Sequence, residues 1–294
     1  GQFDAAMTEY ESILKKYPYF PETHFYMGLT KFRQKDIEGA AYYFSEALKL
    51  FPDHVKARKG LNNVTKQLLN NGNKAYKRGD LDKATDFYKK ATKYDENFYL
   101  AFYQLGVLEK KIGNSDDAIS YFNKAISIKP DFHKAWFTLG TSYEVDNNLD
   151  SAIVKYEKAI ELNPGYTKAY SNLGNIHLIR KDYDIARDIL LTAVQIDPEY
   201  ADAYLRLGVV FSEQELFEEA SKHFKKSTEY DFKNYDAWFR YASSLNAIDN
   251  YSEASIAAQK CIDLKSNFGG GWYEKGVAEM KSGKKTRALK YFEE

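Results

Sequence analysis

An alanine that returns every 34 residues constrains this chain more than any other feature. Ala6, Ala40, Ala84, Ala118, Ala152, Ala186, Ala220, Ala254 and Ala288 keep a 34-residue spacing, except that Ala40 and Ala84 are 44 apart. A small residue keeps the same beat at Gly28, Gly72, Gly106, Gly140, Gly174, Gly208, Ala242 and Gly276. A period of this length means a stack of repeated supersecondary units rather than one deep core. From His133 to Tyr166, Trp136, Leu139, Gly140 and Tyr143 fall on one helical face, and Leu149, Ala152, Ile153, Tyr156, Ala159 and Ile160 on another. Asn147 and Asn148 interrupt the two patterns, and Pro164, which lacks an N–H, ends the unit. Each unit reads as two antiparallel helices, with Gly140 and Ala152 where they approach most closely. A lone hairpin leaves one apolar face open, so neighbouring units must stack on it.

The pattern W-x2-L-G-x2-Y, then A-x3-Y-x2-A, then P, holds its register over nearly the whole chain and resembles the tetratricopeptide repeat (TPR). The resemblance implies an all-α, right-handed superhelical solenoid of helix-turn-helix repeats. It also implies that the first helices line a concave wall that takes extended peptides or helices. The spacing predicts a half repeat at 1–18, full repeats at 19–52, 65–98, 99–132, 133–166, 167–200, 201–234 and 235–268, and a partial repeat at 269–294. A 10-residue insertion falls within 53–64. It reads either as part of one long first helix over about 54–78, or as an extra short helix broken near Asn62-Asn63. In the first case Leu61 and Val64 lack the usual neighbour, and deleting Asp53 to Asn62 is expected to leave stability nearly unchanged. Gly269-Gly270-Gly271 reads as a late-starting, frayed first helix, with a functional hinge as the alternative. No polar capping helix is visible at either end, so the chain reads as a piece of a longer protein whose open ends allow self-association.

Lys and Arg number 42, as do Asp and Glu, and the resulting net charge of zero argues against a general nucleic-acid binder. No apolar run reaches the roughly 18 residues of a membrane span. Cys261 excludes an internal disulfide and takes the small position held elsewhere by Ala125, Ala159 and Ala193. The five histidines show no ligand spacing, and no nucleophile elbow or phosphate loop occurs. No cofactor, metal or catalytic residue is therefore expected. Arg78-Gly79-Asp80 spells an integrin-binding tripeptide but falls on an inter-helix turn.

The expected function is a non-catalytic protein–protein interaction scaffold that binds an extended peptide or helix. The rival is a substrate-recognition arm of a larger enzyme, such as a TPR-containing glycosyltransferase whose catalytic domain lies outside this chain. Asn172 with Asn175, and Asn70 with Asn73, favour that rival. By the resemblance, repeat positions 2, 5, 9, 12 and 13 face the ligand. The candidate peptide-binding residues are Lys110, Lys134, Lys168, Tyr103, Phe137, Asn172, Asn175, Leu205 and Phe239. The expected ligand lays an acidic stretch over Lys110, Lys134 and Lys168, and apolar side chains against Tyr103 and Phe137. Against this, the rings at position 5 can instead pack on neighbouring helices. Later units offer Asp202, Glu213 and Asp236, of which Asp202–Arg206 and Asp236–Arg240 are spaced to neutralise each other.

Overall fold

The computed structural model describes residues 1–293, and among these there are seventeen helices and no strand. They divide into two compact units, Gly1–Asn148 and Leu149–Glu294. The first unit holds α1 (Gln2–Lys16), α2 (Pro21–Arg33), α3 (Ile37–Leu50), α4 (Val55–Lys77), α5 (Leu81–Tyr94), α6 (Tyr99–Ile112), α7 (Ser115–Ile128) and α8 (His133–Val145). The second holds α9 (Leu149–Leu162), α10 (Thr167–Ile179), α11 (Tyr183–Ile196), α12 (Ala201–Glu213), α13 (Phe217–Tyr230), α14 (Tyr235–Ala247), α15 (Tyr251–Leu264), α16 (Gly269–Lys281) and α17 (Lys285–Glu293). Within each unit every helix packs on the next in sequence, so each is a stretch of helical-repeat solenoid.

The turns between first and second helices share one backbone requirement. Lys35, Gly79, Gly113, Asn147, Lys181, Glu215, Asp249 and Gly283 all have φ between +56° and +92° and recur on the beat of the alanines. A side chain costs about 1–2 kcal/mol in that region. Five of the eight accept this cost, so the packed helices impose the turn. Gly79 explains Arg78-Gly79-Asp80 as a turn, and Asp80 then caps α5 by accepting from the Lys83 N–H.

Large and small residues interlock across hairpins within each unit. A Cβ on Gly106 would lie 2.6 Å from the Phe122 ring, and one on Gly208 would lie 2.5 Å from Phe224. Where the first helix carries Ala242 instead, the matching residue of the second helix is Ala258, and both are fully buried in one cluster. A second repeated contact joins successive repeats. The indole N–H groups of Trp136, Trp238 and Trp272 donate to the carbonyls of Pro130, Phe232 and Ser266 at 2.8, 3.0 and 2.7 Å. The acceptor is backbone, so the bond survives where proline is replaced. Gly269 begins α16 without delay, contrary to the frayed start expected. A Cβ on Gly270 would meet Phe268 at 2.7 Å and Phe239 at 3.0 Å, which gives that glycine a packing reason.

The insertion forms one unbroken helix, α4, of 23 residues. Leu61 and Val64 do not lack neighbours, contrary to expectation. They are buried with Ala57 against Phe44, Ala40 and Ala47 of α3. Ten residues further on, Leu68, Leu69 and Ala75 bury against Ala84, Tyr88 and Ala91 of α5. An ordinary first helix meets both neighbours along one short length. Here α4 meets them in succession, with the face for α3 in its N-terminal half and the face for α5 in its C-terminal half.

Candidate ligand-binding faces

In the first unit the position-5 ring of α6 is engaged internally. Tyr103 packs 5.8 Å from Phe122 and 5.1 Å from Phe132, and its hydroxyl shares a 3.2 Å hydrogen bond with Thr138 Oγ1. Phe137 on α8 is half-buried. Lys110 donates to Thr141 Oγ1 at 2.5 Å, and burial lowers its pKa, with Glu144 and Asp146 partly opposing. Lys134 is exposed at the start of α8. Lys111 lies 4.5 Å over the Tyr76 ring and so ties α6 to the end of α4.

In the second unit Lys168 is exposed on α10, whereas Asn172 Nδ2 donates to the hydroxyl of the buried Tyr156 at 3.2 Å. Asn175 is half-buried, Leu205 is partly buried against the α13–α15 cluster, and Phe239 meets Phe268 edge-on at 5.2 Å. Two of the three acidic positions are neutralised locally. Asp202 accepts from Ser171 at 2.6 Å and Arg206 at 2.8 Å, and Asp236 accepts from Arg240 at 2.8 Å. Back in the first unit, Asn73 serves as Asn172 does, accepting from the Tyr88 hydroxyl at 2.8 Å. Burial pushes the pKa of Tyr88 up to about 12, so it stays a donor at neutral pH.

A cleft at α3, α4 and α5 escaped sequence reasoning. The ten extra residues lengthen α4 by about 15 Å, while α5 keeps its ordinary 14 residues. The C-terminal part of α5 therefore reaches only the start of α3, where Lys90 bridges Glu38 at 2.5 Å and Asp86 at 2.8 Å. Beyond it a cleft of about 420 Å³ opens, lined by Tyr42, Glu46, Arg58, Lys93, Tyr94 and Asn97. The break in the 34-residue beat was the signal for it.

Among the described residues no group of three or more His, Cys, Asp or Glu is placed to hold a metal ion, and no helix is long and apolar enough to cross a membrane. The Cys261 thiol is buried, and burial pushes its pKa up to about 11, which leaves it a packing group.

With helical hairpins, a glycine–aromatic contact and a left-handed turn all on one beat, the family models agree. Tetratricopeptide repeat models match residues 21–54, 99–132, 166–231 and 235–268, and a TPR repeat model matches 146–179. The chain belongs to the tetratricopeptide repeat family. Two crystal structures of MamA are similar to this TPR chain at 30% and 31% identity, each with a TM-score of 0.50. The matches cover 57% and 55% of this chain and 92% and 95% of the MamA chains. PilF of Pseudomonas aeruginosa is similar at 22% identity and a TM-score of 0.60, over 67% of this chain and 89% of PilF. YrrB, described as a TPR protein with an unusual peptide-binding site, is similar at 19% identity and a TM-score of 0.51, over 64% of this chain and 97% of its own. These last two likenesses bear on the TPR fold alone. No curated protein sequence matches this chain.

Proposed function

We propose that this TPR protein is a non-catalytic protein-interaction scaffold that binds a peptide or helix on the exposed faces of its first helices. Family membership supports the scaffold role in general. The observation that carries the finer reading is the unequal placement of charge in the first unit. Several acids on or capping its second helices are already paired with lysines, as in Lys49–Glu46, Lys83–Asp80 and Lys90–Glu38, although Asp82, Asp116 and Asp117 are exposed. Its first helices present cations such as Lys134 to solvent. The ligand lies with an acidic stretch near Lys110 and Lys134 and apolar side chains at the rims of Tyr103 and Phe137. Lys168, with Asn175, is a candidate contact within the second unit. The glycosyltransferase-arm reading loses support, because Asn73 and Asn172 are committed to tyrosine hydroxyls. The scaffold reading is tested by affinity capture with wild type and Lys134→Glu, with helix content checked by circular dichroism. Specific protein partners should be retained by wild type and released by the variant at low salt, less so at high salt where screening has already weakened the attraction. Partners retained equally by both would remove Lys134 from the site, and no specific partner in either would overturn the scaffold reading.

A further inference from the structure

Helix α4 differs from every other helix of this chain in charge as well as in length. Its 23 residues include Lys56, Arg58, Lys59, Lys66, Lys74 and Lys77 and not one acid. Among the described residues none of these six side chains forms an ion pair or hydrogen bond, and all six residues are exposed. The adjacent first helices do not compensate. In α2 the single acid is Glu22, beside Lys31 and Arg33, and in α6 it is Glu109, beside Lys110 and Lys111. Glu109 is buried and held by Asn114 Nδ2 at 2.8 Å.

The N-terminal half of this arrangement works against the helix itself, whereas Lys74 and Lys77 in the last turn suit its dipole. Lys56, Arg58 and Lys59 crowd its first turns, at the positive end of the helix dipole, where cations are unfavourable. Lys56–Lys59, Lys74–Lys77 and Lys74–Arg78 are like-charge neighbours at helical spacing. A local conflict of this kind, in which Arg58 shares a cleft with Glu46 but no cation of the helix forms an ion pair among the described residues, marks a surface whose counter-charge comes from elsewhere. Between the cations the exposed positions are amides: Asn62, Asn63, Gln67 and Asn70. Lys56, Lys59, Asn63, Lys66, Asn70 and Lys77 follow spacings of three, four, seven and multiples of these, so they form one ribbon along the helix. That ribbon is about 32 Å long at 1.5 Å per residue.

We propose that the exposed face of α4 is the docking surface for an extended acidic segment of a partner protein, about ten residues long at about 3.3 Å each. Carboxylates on alternate residues meet the lysines, while the amides exchange hydrogen bonds with the peptide backbone. A single-stranded nucleic acid fits less well, because its recognition relies on exposed aromatic rings that stack on bases. The exposed face of α4 carries none, and its one ring, Tyr76, lies under Lys111. The inference rests on the scaffold reading and specifies the partner's chemistry.

The test is a selection of displayed random twelve-residue peptides against wild type and against Lys56→Glu/Lys59→Glu/Lys66→Glu. Wild type should enrich peptides rich in Asp and Glu, and a synthesised winner should bind the variant at least tenfold more weakly. The variant should melt no lower than wild type, because the substitutions relieve repulsion and favour the dipole. A melting temperature well below wild type would show instead that the lysines serve the fold. Enriched peptides without acidic bias, or acidic ones that bind the variant equally, would overturn the inference and leave the scaffold reading intact. Enrichment of no peptide at all would count against both. Tighter binding of a single-stranded twelve-nucleotide RNA than of the acidic winner, lost in the variant, would replace the peptide by nucleic acid.

Discussion

His223 shows how a single buried side chain sets a pH response. Its ring stacks 5.1 Å from Phe211 and 6.1 Å from Tyr204, and its buried Nδ1 has no hydrogen-bond partner. Burial lowers its pKa, Glu219 opposes this, and Lys226 and Lys222 add to it. The native ring therefore stays neutral at a pH where the unfolded ring takes up a proton near its ordinary 6.5. Stability must fall as pH drops through that value toward the lower native pKa. Urea unfolding of wild type and His223→Gln between pH 7.5 and 5 should show a shallower loss in the variant. Equal slopes would mean that the imidazole remains solvated. The residue-scale roles of Asn73 and Asn172 were hidden in the sequence for a similar reason. An asparagine beside a groove position and one that satisfies a buried tyrosine hydroxyl have the same spacing, and only the packed partner tells them apart.

At the scale of the element, α4 carries the main correction. A beat of 44 instead of 34 residues showed that one first helix was longer, but not that its two halves had divided the packing between them. The signal was present in the residues that the shorter register would turn toward α3. There Gln67, Asn71 and Lys74 stand where α6 and α12 bury Ala101, Leu105 and Leu108, and Ala203, Leu207 and Val210. Deleting Asp53 to Asn62 restores the beat yet sets these polar groups against Phe44 and removes Ala57 and Leu61. Such a deletion should cost about 3 kcal/mol or more, read as a lower urea midpoint with exchange rising first around α3. Wild-type stability after deletion would show that the N-terminal half of α4 is dispensable. The glycine–aromatic contact was more legible, since both partners recur on the beat. Its Ala242–Ala258 variant was only half visible, because the matching loss of the aromatic becomes meaningful once the two helices are seen to share a cluster.

For the molecule as a whole, repeat architecture was legible because every hairpin solves the same packing problem on the same beat. The location of usable charge was not. Composition gives zero net charge, and the acids and bases separate only when the helices are arranged. Several acids on the second helices of the first unit are paired with lysines, α4 holds unpaired cations, and Asp202 and Asp236 of the second unit are already neutralised by Arg206 and Arg240. Function on this account resides in the outward faces of first helices, with α4 foremost. The most direct measurement is hydrogen–deuterium exchange of the whole chain with and without a selected acidic twelve-residue peptide. Added protection should centre on Val55–Lys77 and extend to neighbouring first helices, leaving α3, α5 and α7 unchanged. Protection centred on those second helices instead would contradict the account.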